Sequence, residues 1–205
     1  MKSSKNLIEL LKGLPYFDKK TVHQMGKHFG LTDNSVDTYI SRYLRRNEII
    51  RLKNGLYISS DSYHKNRNNI TYIYYLANIL RSPSYISSWA ALQYYNLTTE
   101  TIPTITSITP RVTRTYSNKV GIFLFQSIKK GLFTGFHLEK GNFNFFIASP
   151  AKSLFDLLYF RTNQLHGLTF KDIDLIIDDL RIDMHELAEE EQDRFYSLIK
   201  DFIHE

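Results

Sequence analysis

Residues 31–58, LTDNSVDTYISRYLRRNEIIRLKNGLYI, contain a helix, a sharp stop and a hairpin in succession. Thr32 or Asp33 can cap a helix that runs to about Arg46, because short oxygen-bearing side chains satisfy the first free backbone N–H groups. Val36, Tyr39, Ile40, Tyr43 and Leu44 recur at three- and four-residue spacing and form one apolar stripe. The opposite face carries Asn34, Thr38, Ser41, Arg42 and Arg45, with Ser35 and Arg46 on its flank. Two β-prone runs follow, Ile49 to Leu52 and Leu56 to Ile58, around Lys53-Asn54-Gly55. Asn-Gly between β-prone residues is a strong local hairpin signal, since glycine accepts the positive φ of a tight turn.

Upstream, residues 3–14 predict a short helix with Leu7, Leu10, Leu11 and Leu14 on one face, ended by Pro15. A second helix is expected from Lys19 to Phe29, with Asp18 as its cap and Val22, Met25 and Phe29 turned inward. Gly30 supplies the left-handed residue that helix ends commonly use. Helix, helix, glycine turn, helix and hairpin is the order of a winged helix-turn-helix, expected here over residues 1–60.

That arrangement predicts binding to double-stranded DNA, because the major groove admits an α-helix whose polar face reads base edges. Asn34, Ser35 and Thr38 are the expected readers near the start of the third helix. Arg42, Arg45 and Arg46 can reach guanine or phosphate. Arg51, Lys53 and Asn54 at the hairpin suit the flanking backbone or the minor groove. Lys19, Lys20 and Thr21 open the second helix, whose N-terminal N–H groups can hold a phosphate. A single winged helix covers only a half-site, so specific binding is expected to use two copies on an inverted repeat. A helix-turn-helix can also dock protein. That alternative has the acidic helices 170–203 sequestering a basic partner directly.

Residues 61–69 are polar and predict a linker, and 70–205 predict a second, α+β domain. Helices are expected over about Ile70–Leu80 and Ser88–Tyr95. TITSIT, VTRTY, KVGIFLFQSI and NFNFFIA then read as strands of a small, mainly antiparallel sheet. Phe143 and Phe145 on one side of the last strand, with Phe146 on the other, suggest burial of both faces. Ser149-Pro150 opens a helix through Arg161, and further helices are expected around Phe170–Ile182 and Glu186–Ile203.

Charge is distributed unevenly. Of the net +5, residues 1–60 carry +6, residues 61–150 another +6 and residues 151–205 carry −7. The basic front of the chain suggests a polyanionic partner. Cysteine is absent, which excludes disulfides, thiolate nucleophiles and Cys-ligated metals. Glu9 and Lys12 interrupt the leading apolar run, so no signal peptide or membrane span is expected and the chain reads as cytoplasmic.

Four blocks together resemble the AbiEi-type antitoxin and viral-defence regulator family. They are YLRRNEIIRLKNGLYI, SPSYISSWAALQYYNL, TITSITPRVTRTY and IASPAKSLFDLLYFR, in order between residues 43 and 161. The resemblance implies a DNA-binding autorepressor that is also the antitoxin of a type IV pair. Its second domain would oppose a nucleotidyltransferase-like toxin without a stable complex. One departure from the family pattern is Ala151, where an acidic residue is common after the proline. The change removes a favourable charge from the first helical turn.

Other clusters read more plainly. Arg111, Arg114, Lys119, Lys129 and Lys130 form either a second nucleic-acid surface or charges that guard strand edges. Asp172, Asp174, Asp178, Asp179 and Asp183 fall opposite Ile173, Ile176, Ile177 and Leu180, as a solvated helix face does. His23 and His28 are five apart on one helix and cannot share a metal. No metal, no cofactor and no enzymatic activity is expected.

Overall fold

The computed structural model describes residues 2–100 and 102–203, and side chains from Asn6 onward within them. The chain is mixed α+β and divides into two compact units. The first comprises residues 1–73 with 116–121, the second 74–115 with 122–205.

In the first unit, α1 (Lys2–Lys12), α2 (Lys19–His28) and α3 (Asp33–Arg45) pack on a three-stranded antiparallel sheet. Its strands are β1 (Phe17–Asp18), β2 (Ile49–Lys53) and β3 (Leu56–Ser59), with β3 central. Leu7, Ile8, Leu11, Val22, Val36, Ile40 and Tyr43 form the core with the inner face of the sheet. Leu10, expected on the inner face of α1, is exposed, and Ile8 takes that place. β1 was not expected. Its two residues pair Phe17 with Tyr57 and Asp18 with Leu56, and the Phe17 and Tyr57 rings stack 6.1 Å apart.

Gly26 is the point of closest approach between α2 and α3. A methyl group added there would collide with the Cγ2 atom of buried Val36. Glycine in mid-helix usually destabilises, and here the absent side chain is what lets the two helices meet. α3 ends in a Schellman motif: Glu48 N–H donates to Tyr43 O and Asn47 N–H to Leu44 O, with Asn47 at φ +55°. The motif turns the chain directly into β2. Residues 61–69, expected to be a linker, instead hold most of α4 (Ser60–Asn66), capped by the Ser59 hydroxyl.

The second unit is built on a six-stranded sheet. Its strands are β4 (Tyr85–Ile86), β5 (Thr104–Thr109), β6 (Arg114–Asn118, which crosses the boundary), β7 (Gly121–Ser127), β8 (Phe136–Glu139) and β9 (Phe145–Ala148), in the order β6-β7-β5-β4-β9-β8. The sheet is larger than expected, and it is mixed. β5–β7 and β4–β9 are parallel, whereas β4–β5 and β8–β9 are antiparallel. The short strands β4 and β8 escape sequence reading because so few residues show no alternation, yet β4 occupies the middle of the sheet. Phe145 and Ile147 are buried on one face of β9, whereas on the other Phe146 is 42% exposed and Ala148 is buried, so the second face is covered only toward the end of the strand.

The unit's helices are α5 (Ile70–Leu80, which crosses the boundary), α6 (Ser88–Tyr94), α7 (Pro150–Arg161), α8 (Phe170–Asp179) and α9 (Glu189–Lys200). α7 is the centre of this unit, buried along nearly its whole length. Ser149 caps it and Pro150 opens it, as the sequence predicts. Ala151 donates its N–H to the Glu191 carboxylate of α9 at 2.8 Å. A carboxylate from another helix therefore supplies the negative charge that residue 151 lacks.

Inside α7, Lys152 and Asp156 form a buried ion pair at 2.6 Å. The other Asp156 oxygen accepts from Ser87 Oγ at 2.7 Å and Tyr85 OH at 3.1 Å. Burial pushes the Asp156 carboxyl upward, while the Lys152 ammonium pulls it down. Beyond α7 the backbone does something unusual: Asn163, Gln164 and Leu165 hold φ of +49°, +64° and +66° in succession. The left-handed region costs roughly 1–2 kcal/mol per residue for side chains of this kind.

Gly26→Ala gains helix propensity but overpacks a closed core, so it is expected to destabilise the protein by about 1–3 kcal/mol. Val36→Ala in the same background should recover part of that loss, and additive behaviour in a urea double-mutant cycle would refute the contact. Lys152→Met leaves a buried carboxylate without its counter-charge and should cost about 3–5 kcal/mol. Lys152→Met combined with Asp156→Leu should unfold at higher urea than Lys152→Met alone.

Candidate nucleic-acid interface

Three local devices in the first unit determine where its polar side chains point. The Asp18 carboxylate accepts the Thr21 N–H at 2.7 Å and starts α2. Thr32 caps α3 through Ser35 N–H and also hydrogen-bonds the Ser35 hydroxyl at 2.9 Å. Gly55, at φ +76°, closes the hairpin between β2 and β3.

With Val36, Ile40 and Tyr43 buried, the opposite face of α3 presents Asn34, Thr38, Ser41, Arg42 and Arg45 to solvent. Thr38 and Ser41 turn their hydroxyls back onto the carbonyls of Asn34 and Asp37, at 2.9 and 3.0 Å. Both hydroxyls keep their acceptor lone pairs for a ligand. The Asn34 carboxamide is exposed and makes no hydrogen bond among the described residues. Arg42 lies over the Tyr39 ring at 5.8 Å, which restrains the guanidinium without neutralising it. Arg42, Arg45, Arg46 and Arg51 are exposed and have no ion-pair partner among the described residues. Asn54 is exposed at the hairpin tip, and Lys53 is half-buried with a partner of its own.

Ser35 is half-buried, and its hydroxyl shares a hydrogen bond with Thr32 Oγ1 at the helix start. One expectation needs correction: the N–H groups at the start of α2 are largely taken. Lys19 N–H donates to Gly55 O and Thr21 N–H to Asp18, which leaves the Lys20 side chain as the main cation there.

Sequence reasoning missed the partners that the acidic pair on α3 meets. Lys19 reaches Asp37 at 2.9 Å. The His23 ring bridges Asp33 and Asp37, with Nδ1 at 3.0 Å and Nε2 at 2.7 Å from carboxylate oxygens. The Lys19 hydrogen bond, followed by that of His23, holds the Asp37 carboxyl below its usual range. The i, i+4 spacing of Asp33 and Asp37 marks them as neighbours, but nothing in the sequence indicates that α2 faces them with a lysine and a histidine.

The five cations of the second candidate surface do not sit together in one unit. Lys119 belongs to the first, where its Nζ donates to Asn47 Oδ1 at 2.5 Å and neighbouring Asn118 donates to Leu52 O at 3.0 Å. This brings Lys119 to the end of α3, beside Arg46. Arg111, Arg114, Lys129 and Lys130 belong to the second unit. Two acidic residues of α8 have structural partners: Asp172 completes a capping box with Thr169, and Asp174 accepts from Tyr196 OH at 3.0 Å. Among the described residues no group of three or more His, Asp or Glu side chains could hold a metal, and no helix is long and apolar enough to cross a membrane.

No protein-family model and no curated protein matches the chain.

The Asp18 cap yields a pH prediction. The Thr21 N–H holds its folded pKa below the unfolded value, so its contribution is present above about pH 4 and fades as pH falls through the folded pKa. Asp18→Ala should lower stability by about 1 kcal/mol at neutral pH. Chemical denaturation should show this gap closing on acidification, and a constant gap would refute the role.

Proposed function

We propose that the first unit is a winged helix-turn-helix that binds double-stranded DNA, and that the protein is a transcriptional autorepressor. The observation that carries this reading is the exposed face of α3. An uncommitted carboxamide, two hydroxyls and unpaired arginines lie opposite the buried stripe, and the β2–β3 hairpin adds Arg51 and Asn54. The element order of helix, strand, helix, helix and hairpin supports it. So does the +6 charge of residues 1–60.

In this reading Lys20, Arg45, Arg46, Arg51 and Lys119 contact phosphates and release counterions, giving affinity that falls with salt. Asn34, Thr38 and Arg42 choose among sequences, each good bidentate base contact being worth about 1–3 kcal/mol. Lys19 and His23 hold Asp33 and Asp37 so that α3 can approach a polyanion. Two copies bind an inverted repeat in the operator of the protein's own gene. The resemblance to AbiEi-type regulators extends the proposal: a cytoplasmic antitoxin of a type IV pair, without enzymatic activity, that opposes a nucleotidyltransferase-like toxin.

Fluorescence anisotropy with the DNA upstream of the gene, against a scrambled control at low and moderate salt, tests the DNA reading. Preference for the native sequence at the higher salt is expected. Arg42→Ala should erode that preference by about tenfold, corresponding to 1.4 kcal/mol. Lys20→Ala should weaken both DNAs alike and reduce the salt slope by about one. If the protein binds neither DNA, the reading fails.

A further inference from the structure

In the second unit, at the end of α7, Ser127, Lys129, Tyr159, Phe160, Asn163 and Gln164 line an open cavity of about 380 Å³. That volume falls within the usual range for small-ligand pockets. The lining is chemically uncommitted. The Tyr159 ring is buried, while its hydroxyl reaches solvent and has no hydrogen-bond partner among the described residues. Burial raises the pKa of this phenol, which keeps it a neutral donor. Lys129 is exposed without an ion pair, and no carboxylate lines the cavity. The carboxamides of Asn163 and Gln164 also lack partners among the described residues.

The backbone that presents these carboxamides is the left-handed run Asn163-Gln164-Leu165. Non-glycine residues enter that region singly, not in threes. Leu165, fully buried in the core, anchors the run. Strain of this kind persists where the surrounding structure imposes it and clusters at ligand sites.

We propose that this cavity binds a nucleoside monophosphate with a purine base, a function separate from DNA binding by the first unit. Asn163 and Gln164 supply paired donors and acceptors to the base edge, the pattern that Asn and Gln side chains offer adenine. Phe160 supplies an aromatic surface for the base, and Lys129 a point charge for the phosphate. The Tyr159 hydroxyl donates to the sugar–phosphate. Nothing in this arrangement requires a covalent step.

Isothermal titration calorimetry of the full chain with AMP, ribose 5-phosphate and inorganic phosphate tests the proposal. AMP is expected to saturate one site, at least about tenfold more tightly than ribose 5-phosphate. Lys129→Ala and Gln164→Gly should each weaken AMP by about tenfold or more. Gln164→Gly should also raise Tm, because glycine accepts φ +64° without strain. A purely structural turn would give the higher Tm with AMP binding unchanged. The proposal is overturned by an absence of saturable AMP heat, by equal binding of AMP and ribose 5-phosphate, or by unaltered AMP affinity in either variant.

Discussion

α2 and α3 meet where Gly26 lies against Val36, at a separation that leaves no room for a methyl group. The rotation of α3 follows from that contact: with Val36, Ile40 and Tyr43 inward, geometry obliges Asn34, Thr38, Arg42 and Arg45 to face out. The same close approach brings Lys19 and His23 of α2 onto Asp37, and His23 onto Asp33. Lys19 offsets part of the negative charge that α3 would otherwise present to a polyanion. The helix-helix contact and the electrostatics of the exposed face are therefore consequences of one missing side chain.

The second unit depends on a different kind of constraint. Asp156 is fully buried and accepts from Lys152, Tyr85 and Ser87, so one carboxylate ties α7 to β4 and to the residue just before α6. Thr106 on β5 extends the network, donating to Ser87 O and accepting from Ala90 N–H. A buried charge is tolerated only when it is paired and its lone pairs are filled, which specifies the position of α7 against the sheet. β4, only two residues long, holds the middle of the sheet on these terms. With α7 fixed, the chain that leaves it is forced through a left-handed turn by the burial of Leu165.

Much of the local structure was legible in the chain. The caps Asp18, Thr32 and Ser149 stand where short oxygen-bearing residues precede apolar periodicity, and α3 and α7 begin within a residue of where those signals place them. The hairpin at Asn54-Gly55 was legible because its turn chemistry is local. Residues 61–69 were misread because α4 is short and polar and derives its order from the Ser59 cap and neighbouring packing. The exposed α3 face follows from periodicity, whereas the hydrogen bond between Ser35 and Thr32 at its start does not.

The amino-acid sequence alone determined the α3 stripe and its polar opposite, the capped helix starts, the hairpin turn and the division of charge along the chain. Each depends on residues within one or two turns of one another. Only tertiary structure decided that residues 116–121 join the first unit and carry Lys119 to Asn47. It alone placed parallel β7 beside β5 and supplied the helix start at Ala151 with a carboxylate forty residues away. It also brought Lys129, Tyr159 and Gln164 around one cavity. Those contacts join segments far apart in the chain, and no local periodicity or cap encodes which distant partner a buried group will find.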